Sequence, residues 1–425
     1  MKKVLFATTA LVASAGIAAA DVVLSGTAEI GIAGNEGRLV DSNDVDAEFW
    51  SDLDVRFTLS GETDNGLTFG ATIDLDEVGD DANEFVNNDA NDGTASVGGD
   101  AIDAAPRGRN AVEEQAVFIS GVYGTLTMGD TDGAFDWGMQ EVDIGGAIAD
   151  DHTVHAGFNG NSGLDGRFDG QIARYEYAFG DFAAAVSVEL DDQDNDLDDD
   201  NVDLDGDDDS GDPILGLGLR YTTNFQGVGI GFGFGYQHTS DLGQITGDLE
   251  DADAIGDLSE DDLIALIARR GDNLPALGEG QRFVFLTRGG NDEADLFGVS
   301  ADLDFGNGFR GILNYSKLDA DNDVEHVGIG LGYTVGAWTV GANYGNYDRE
   351  GDRQIIRIAD VNGLVDGDDV DVIDIEDGDS SGWGVAVNYD LGGGAVVQAG
   401  YGKSQYDAVE LNDRSTYSVG LALAF

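Results

Sequence analysis

The chain has 425 residues, no cysteine, and 84 acidic against 20 basic side chains, so its formal net charge is −64. This charge argues against nucleic acid as a partner, because binding to phosphates relies on lysine and arginine. Beyond the amino-terminal segment no apolar run approaches the ~18 residues of a membrane-spanning helix, so any membrane crossing must use strands.

Residues 1–20 have the pattern of a secretory signal peptide. Lys2 and Lys3 precede an apolar stretch from Val4 to Ile17, and three alanines at 18–20 come before Asp21. The apolar stretch is shorter than the ~20 residues that span a membrane, and the alanine ending suits signal peptidase. We therefore predict a signal peptide at 1–20 and a single exported domain at 21–425.

Between the acidic clusters, apolar side chains alternate with small, polar or charged ones over segments of roughly nine to twelve residues. This period of two is typical of a strand with two different faces. Sixteen such segments are predicted, in chain order: Val22 to Ala33, Phe49 to Ser60, Leu67 to Glu77, Val112 to Ser120, Gly124 to Asp130, Gln171 to Phe179, Phe182 to Leu190, Ile214 to Thr223, Val228 to Thr239, Asp295 to Phe305, Gly308 to Leu318, Glu325 to Val335, Ala337 to Tyr347, Gly382 to Leu391, Gly394 to Gln405 and Ser415 to Phe425.

The connections between these segments alternate between short and long. Seven are tight and rich in the Gly and Asn that hairpin turns require. Eight are longer and mostly acidic, at 34–48, 78–111, 131–170, 191–213, 240–294, 319–324, 348–381 and 406–414. Transmembrane barrels have this asymmetry, with an even number of strands. We therefore predict an all-β, antiparallel transmembrane barrel of 16 strands, or of 18 if Gln281 to Leu286 belongs to a further pair.

Strand parity assigns the two faces of the wall. In the second predicted strand Phe49, Leu53 and Val55 fall on the apolar side, and Asp52 and Arg56 on the polar side. A soluble β-sandwich also alternates in this way. The long strands, the alternating loop lengths and the aromatic residues beside the short turns favour a barrel in a membrane.

The chain resembles the general, non-specific porins of Gram-negative outer membranes, of the alphaproteobacterial type. The leader MKKVLFATTAL, the start DVVLSGTAEIGI, the segment VYGTLTMGDTDGAFD and the ending YSVGLALAF carry the likeness. The resemblance implies a sixteen-stranded, homotrimeric barrel in the cell outer membrane, surrounded by lipid and lipopolysaccharide, with its third outer loop folded into the pore. It also implies that Phe425 ends a signal for the barrel-assembly machinery. The long, aspartate-rich loops depart from the family.

The third long connection, residues 131–170, is the predicted constriction loop, because it is far longer than a structural connection needs and has apolar side chains to bury. Its acids are Asp132, Asp136, Glu141, Asp143, Asp150 and Asp151. Strand parity places four arginines on the lumen side, and we expect them across from this loop: Arg56, Arg174, Arg220 and Arg310. A fifth, Arg38, lies at the rim of the first predicted strand. Opposed charges would filter solutes by charge and size. Alternatively, the arginines only neutralise acids of the wall.

These features predict a water-filled channel for passive diffusion of small hydrophilic solutes and ions. The acid excess predicts a weak preference for cations, because a low-dielectric tube focuses the sign of its lining. Two alternatives remain open, a substrate-specific outer-membrane channel and an exported acidic, calcium-binding surface protein. No enzyme is predicted, since no Gly-x-Ser-x-Gly or comparable constellation occurs and the histidines lack the spacing of a zinc motif.

The fourth long connection has the spacing of a calcium loop, with Asp203, Asp205, Asp207 and a twelfth-position acid, Asp212. The match is imperfect, because the first position is Asn201, the last acid is not glutamate and no helices flank the loop. We expect a loosely held calcium ion and no required cofactor.

Overall fold

The computed structural model describes most of the chain, with gaps in the loops. The described ranges are 21–36, 45–76, 112–148, 155–168, 170–190, 212–240, 276–277, 281–287, 293–320, 323–349, 352–359, 370–376, 379–406 and 413–425. The predicted signal peptide at 1–20 lies outside them, and so its prediction stays untested.

Twenty strands occur in these ranges. They are β1 (Asp21–Glu36), β2 (Val45–Glu62), β3 (Thr68–Asp76), β4 (Val112–Gly121), β5 (Gly124–Asp130), β6 (Gln171–Phe179), β7 (Phe182–Glu189), β8 (Ile214–Phe225), β9 (Val228–Thr239), β10 (Ala276–Leu277), β11 (Gln281–Thr287), β12 (Ala294–Asp304), β13 (Phe309–Asp319), β14 (Val324–Val335), β15 (Trp338–Arg349), β16 (Asp352–Ala359), β17 (Val370–Glu376), β18 (Ser380–Gly392), β19 (Ala395–Tyr406) and β20 (Arg414–Ala424).

Sixteen of these strands form one closed antiparallel barrel, in the order β1 to β9, β12 to β15 and β18 to β20. The last strand returns to the first, where Thr27 is in register with Ala424 and Glu36 with Ser415. The prediction of sixteen barrel strands is confirmed. Gly124–Asp130, Gln171–Phe179 and Val228–Thr239 have the predicted bounds, and the other ends differ by a few residues.

The remaining four strands form a separate sheet in the order β10, β11, β16, β17. The segment Gln281 to Leu286 is the reason for the alternative prediction of eighteen barrel strands. It is a strand, but it pairs with β16, where Phe283 is in register with Arg357, and it does not join the barrel. Since β10 and β11 follow β9, and β16 and β17 follow β15, the sheet joins the fifth and seventh long connections.

The face assignment from parity agrees with the exposure of the side chains. In β20, Tyr417 and Val419 are 37% and 50% exposed, whereas Ser418 between them is buried. In β2, Phe49 and Leu53 are exposed and Trp50 is buried. The outer surface of the barrel is therefore apolar, as contact with lipid requires.

Aromatic side chains pair beside the short turns, as predicted for a membrane-interface girdle. The ring centroids of Phe179 and Phe182 lie 5.8 Å apart, those of Phe309 and Tyr333 4.4 Å, and those of Trp338 and Tyr389 4.7 Å. Each pair crosses neighbouring strands at the same end of the barrel, where amphipathic rings suit the boundary between hydrocarbon and water.

Helices contribute little to the described part of the chain. None there has the length and apolar character to cross a bilayer. The one helix described, α1 (Ala134–Gly138), belongs to the third long connection.

A lysine in place of Leu331 tests the outward face. This side chain is 59% exposed on β14, and it lies as far from a short turn as Thr72 does on β3. We expect Leu331→Lys to lower the free energy of unfolding by about 2–4 kcal/mol, because the ammonium would face hydrocarbon. The lumen-facing control Thr72→Lys should lower the free energy of unfolding much less. Urea titrations of the protein in lipid vesicles measure both values. Equal losses would contradict the face assignment.

Candidate functional site

The described parts of the third outer loop, residues 131–148 and 155–168, lie inside the barrel, as predicted. Its first arm, residues 133–148, begins with α1 against β7, where the backbone N–H of Ala134 donates to Ser187 Oγ at 2.8 Å. Phe135 and Met139 then form a buried cluster with Leu296 of β12. The arm ends with Ile148, which is fully buried against Ala33 of β1 and Trp50 of β2. The loop therefore follows the inner wall over most of its circumference.

Polar contacts fix the same arm between its apolar anchors. The backbone N–H of Gln140 donates to Ser300 Oγ on β12 at 3.0 Å, and its carbonyl accepts from Asn314 Nδ2 on β13 at 2.8 Å. Buried backbone groups of a loop need such partners, since an unpaired one costs free energy comparable to a lost hydrogen bond. The wall thus supplies the hydrogen bonds that strand pairing would otherwise provide to these backbone groups.

Inward-facing glycines leave room for this arm. A Cβ atom on Gly341 of β15 would lie 1.4 Å from the carbonyl oxygen of Ile144, and one on Gly330 of β14 would lie 2.6 Å from that of Val142. Any larger residue at these positions must displace the loop. We call these inward glycines beneath the loop the glycine track: Gly216, Gly218, Gly233, Gly235, Gly298, Gly328, Gly330, Gly332, Gly341, Gly345, Gly382, Gly420 and Gly31.

The second arm, residues 155–168, returns along the wall through buried polar groups. His155 and His326 are both buried, and their Nε2 atoms lie 3.2 Å from Asn343 Oδ1 and 3.0 Å from the carbonyl oxygen of Gly157. Burial lowers the pKa of His155 to about 4, so this imidazole is neutral at physiological pH. The histidines therefore hold the loop to β14 and β15.

Two carboxylates hold the end of the loop. Glu189 of β7 accepts the backbone N–H groups of Gly166, Phe168 and Gly170 at 3.0–3.1 Å. Asp165 accepts from the backbone N–H of Gly133 at 2.9 Å and from Gln237 Nε2 at 2.6 Å. Asp165 thereby joins the end of the loop to its start and to β9.

Four of the acids predicted for the constriction lie on the first arm or directly before it. Asp132 is exposed, and Asp136, Glu141 and Asp143 are partly buried. The loop acids Asp150 and Asp151, and Arg38 of the first connection, lie outside the described residues, so their predicted roles stay untested.

The arginines divide into two groups. Arg174 donates to the backbone carbonyl of Asp132, and the guanidinium carbon of Arg220 lies 4.4 Å from the centre of the Trp137 ring. These two arginines lie beside the start of the loop, not across from it. The reason is that β6 directly follows the loop and α1 packs on β7 to β9, so their side chains meet the loop root.

The other two arginines are paired with acids of the wall. Arg310 Nε and Nη2 each donate to a carboxylate oxygen of Asp302 at 3.0 Å. Arg56 Nε donates to Asp74 Oδ2 at 2.7 Å, and Arg56 is half exposed. Arg56 lies on β2 farther from the outer end than Trp50, and its partner Asp74 lies on β3, which the loop contacts described above do not include. It is therefore the predicted arginine that fits a position across the passage from most of the loop.

The environment of Asp136 changes its protonation. Burial, followed by the neighbouring charges of Asp132, Glu141 and Asp165, raises its pKa to about 8, and Arg220 opposes the rise. This carboxyl group therefore titrates near neutral pH, where an ordinary aspartate is ionised.

The predicted calcium loop is mostly outside the described residues, which contain Asp212 but not Asp203, Asp205 or Asp207. Ser240 Oγ donates to Asp212 Oδ2 at 2.6 Å. Within the described ranges, one group of possible ligands, His238, Glu293 and Asp295, has its donor atoms within 4.8 Å of one another. His238 and Asp295 already bond each other at 3.0 Å on the outer face. The calcium site stays a prediction.

Some residues that build the site were not predicted, chiefly the glycine track, Glu189 and the histidine pair. The glycines had a visible signal, since LGLR in β8, GFGFG in β9 and GIGLG in β14 alternate glycine with apolar residues. An inward row of glycines leaves a groove that something must fill. Glu189, His155 and His326 had no local signal, because their partners are distant in sequence.

A closed antiparallel barrel with an apolar outer face and a loop folded into its lumen defines a transmembrane channel protein. The chain belongs to the family of Gram-negative porins, whose model matches residues 7–409. It is accordingly a β-barrel of the outer membrane and a porin channel. This removes the alternative of a soluble surface protein.

Solved porin structures have the same fold at low sequence identity. The chain is similar to a porin refined at 1.8 Å resolution, with 18% identity, a TM-score of 0.50, and coverage of 95% of this chain and 100% of that one. The anion-selective porin from Comamonas acidovorans matches with 14% identity, a TM-score of 0.52, and coverage of 96% and 100%. OmpT of Vibrio cholerae lacking loop L8 matches with 11% identity, a TM-score of 0.52, and coverage of 96% of this chain and 99% of that one. No curated protein matches the chain in sequence.

Valine in place of Gly341 tests the glycine track. Its side chain cannot coexist with the carbonyl group of Ile144, so the first arm must leave the wall and narrow the passage. We expect single-channel conductance to fall by about a third or more, since conductance follows the free cross-section of the pore. The control Ala342→Val, on the outer face of the same strand, should conduct like the wild type. Unchanged conductance of Gly341→Val would contradict the assigned loop path.

Ion preference should depend on pH through Asp136. Because the pKa of this group is raised to about 8, the folded protein holds a proton between pH 3.8 and about 8 that the unfolded chain releases. Its contribution to stability therefore falls as the pH rises through this window. The newly charged carboxylate should increase the cation-to-anion permeability ratio by about twofold between pH 6 and 9.5.

Reversal potentials in a salt gradient measure this ratio. Asp136→Asn should reduce the pH dependence to the part that comes from Asp165, whose pKa burial also raises to about 8. Asp319→Asn, which changes an exposed acid at the end of β13, should keep the wild-type profile. A flat profile in the wild type would rule out the titration of Asp136.

Proposed function

We propose that this porin is a general diffusion channel for small hydrophilic solutes and ions, with a weak preference for cations. The observation that carries the proposal is the excess of carboxylates over guanidinium groups in the lumen. The acids on the inward parity or on the loop include Glu29, Asp52, Asp54, Asp74, Asp132, Asp136, Glu141, Asp143, Asp165, Glu176, Glu189, Asp302 and Asp304. The bases there include fewer residues, Arg56, Arg167, Arg174, Arg220, Arg310, Arg349 and Arg414. A low-dielectric wall focuses this negative field, which concentrates cations.

We place the constriction between the first arm of the loop and the arc of β2 and β3. Asp132, Glu141 and Asp143 supply negative charge on the loop side, and Asp136 adds to it once the pH exceeds its pKa of about 8. Arg56 supplies positive charge on the other side. Asp150, Asp151 and Arg38 belong to the same proposal. Three further arginines lie next to these acids or to acids of the wall: Arg174, Arg220 and Arg310. Their positive charge reduces the net negative charge of the lumen without reversing its sign.

The name of the Comamonas porin describes the opposite preference, anion selectivity, on a similar fold. The fold therefore does not determine the sign of the selectivity. The loop and wall charges decide it, and in this chain the acids dominate.

We further propose that the chain is made with a signal peptide at 1–20, is recognised through Phe425 by the barrel-assembly machinery, and forms homotrimers among lipid and lipopolysaccharide. The position of Phe425 supports its role in recognition. Its side chain is exposed, while its backbone N–H donates to the carbonyl oxygen of Gly26 of β1 at 2.9 Å. Calcium remains a proposed, loosely held ion. The family is one of channel proteins, and we assign the chain no catalytic activity.

Single-channel recording of the purified, refolded protein in a planar bilayer tests the function. We expect large, stepwise conductance in triplets, a reversal potential that reports cation preference, and no saturation by sugars. At high salt the preference should weaken, because the Debye length falls to ~3 Å at 1 M. Saturable block by one solute would instead favour a substrate-specific channel.

Charge variants assign the preference to the loop. At pH 9.5, where Asp136 is ionised, the double variant Asp132→Asn with Asp136→Asn should reduce the cation-to-anion permeability ratio about twofold or more, since two charges leave the focused field. The matched double variant Asp319→Asn with Asp323→Asn removes two acids near the outer end of β13 and should change the ratio less. Anion preference in the wild type would refute the proposed selectivity.

A further inference from the structure

Both backbone polar groups of Gly157, in the second arm of the loop, are bonded to histidine rings. Its N–H donates to His155 Nδ1 at 3.1 Å, and its carbonyl oxygen lies 3.0 Å from His326 Nε2. Both imidazoles are buried. Gly157 also lies directly on β15, because a Cβ atom on it would come within 2.1 Å of the carbonyl oxygen of Gly345. We call the two rings the histidine clamp: His155 and His326.

The hydrogen bonds of His155 define its protonation state. Since Nδ1 of this ring accepts from Gly157, the ring is neutral and its proton lies on Nε2, which donates to Asn343 Oδ1 on β15 at 3.2 Å. Both ring nitrogens are thereby used, one as an acceptor and one as a donor. A proton added to Nδ1 would point at the N–H group of Gly157, so this bond would be lost.

A neighbouring amide defines the protonation state of His326. The backbone N–H of Asn161 donates to Asn159 Oδ1 at 2.8 Å, which turns the Nδ2 group of Asn159 towards His326 Nδ1 at 3.2 Å. His326 Nδ1 must therefore accept, and its Nε2–H donates to Gly157. The partners of the clamp thus require both rings to be neutral while the arm is docked.

The surroundings of the clamp offer little to stabilise added positive charge. On β15 the ring of Tyr347 lies 4.5 Å from that of His326, and the guanidinium carbon of Arg349 lies 4.4 Å from the centre of the same tyrosine ring. Asp379, before β18, accepts the backbone N–H of Arg349 at 3.3 Å. Within the described ranges, neither histidine has a carboxylate among its partners. The strands β13, β18 and β19 present serines to this arm: Ser316, Ser380 and Ser404.

From this geometry we infer that the histidine clamp is an acid-sensitive release device for the second arm of the loop. Protonation breaks the bond from Gly157 to His155 and the bond from Asn159 to His326. It also places two like charges next to the same residue, Gly157. The arm then leaves the wall and enters the passage. This inference rests on the proposed diffusion channel and adds a regulation of its constriction.

The direction of the pH effect follows from the protons bound in the two states. A histidine released into water titrates near pH 6.5, whereas burial lowers the pKa of docked His155 to about 4. The docked arm therefore binds fewer protons than the released arm, and its docking weakens as the pH falls from about 6.5 towards 4. Each pH unit in this window reduces the docking equilibrium constant about tenfold through this histidine.

Single-channel conductance of the full protein in a planar bilayer, recorded from pH 7 to pH 3.5 in about 1 M salt, tests the inference. At this salt concentration the Debye length is about 3 Å, so conductance follows the free cross-section of the pore more than its lining charge. We expect conductance to fall by about half or more below pH 5, with a slope of between about one and two protons. A return to pH 7 should restore it.

A disulfide that fixes the docked arm separates its release from the titration of acids in the lumen. The chain has no cysteine, and the backbone N–H of Ala156 donates to Ser404 Oγ on β19 at 2.9 Å. In the double variant Ala156→Cys with Ser404→Cys, the oxidised protein should keep its pH 7 conductance at pH 3.5. The same variant, reduced before recording, should show the acid transition, since only the covalent link between loop and wall has changed.

Replacement of the rings provides a second test. Asn and Gln side chains carry hydrogen-bonding groups near the positions of Nδ1 and Nε2 but do not titrate. The double variant His155→Asn with His326→Gln should therefore lose the acid transition. The control His238→Gln, which removes a histidine from the outer face of β9, should keep it.

The outcomes separate the two proposals. Absence of conductance at pH 7 would refute the diffusion channel itself. Conductance that stays unchanged down to pH 3.5 would leave the channel intact and overturn the acid-sensitive clamp. The clamp is also overturned if the oxidised cysteine variant keeps the acid transition, or, should its disulfide not form, if the double histidine variant keeps it.

Discussion

The structure depends on the need to satisfy backbone hydrogen bonds where no water is present. In hydrocarbon each unpaired N–H or C=O costs several kcal/mol, so a sheet in a membrane cannot have an open edge. The pairing of β20 with β1 removes both edges at once. Closure in turn separates an apolar outer face from a polar lumen, and every functional property of the chain is a property of what that lumen contains.

The same requirement governs the loop inside the barrel. The described residues of the third loop, 131–148 and 155–168, have little secondary structure, yet many of them are buried, so side chains of the wall and of the loop must bond to their backbone groups. The wall residues that do so come from three strands, β7, β9 and β12: Ser187 and Glu189, Gln237, and Ser300. The glycine track contributes by letting the loop come close enough for these short contacts. A wall of larger residues would hold the loop in the centre of the pore.

Much of the fold could be predicted from the sequence, because strand period, turn residues and alternating loop lengths are local signals. The count of sixteen and the outward residues of β20 followed from them. The inward course of the third loop followed from its length, its apolar side chains and the resemblance to a known family. The separate sheet did not, since β11 and β16 are joined by pairing between two loops that are distant in sequence. The positions of Arg174 and Arg220 beside the loop also failed to follow, because parity gives the face of a side chain but not its neighbour around the barrel.

The path of the loop along the glycine track has a consequence for how the pore can change over evolutionary time. Several of its closest approaches join backbone to backbone, as at Gly341 with the carbonyl of Ile144 and Gly345 with that of Gly157. Such contacts are indifferent to the identity of the loop residue. Acids on the first arm, unlike Asp165, can therefore be gained, lost or exchanged for bases while the course of the chain stays the same. Conductance and ion preference are separately adjustable, the first through the wall and the second through the loop.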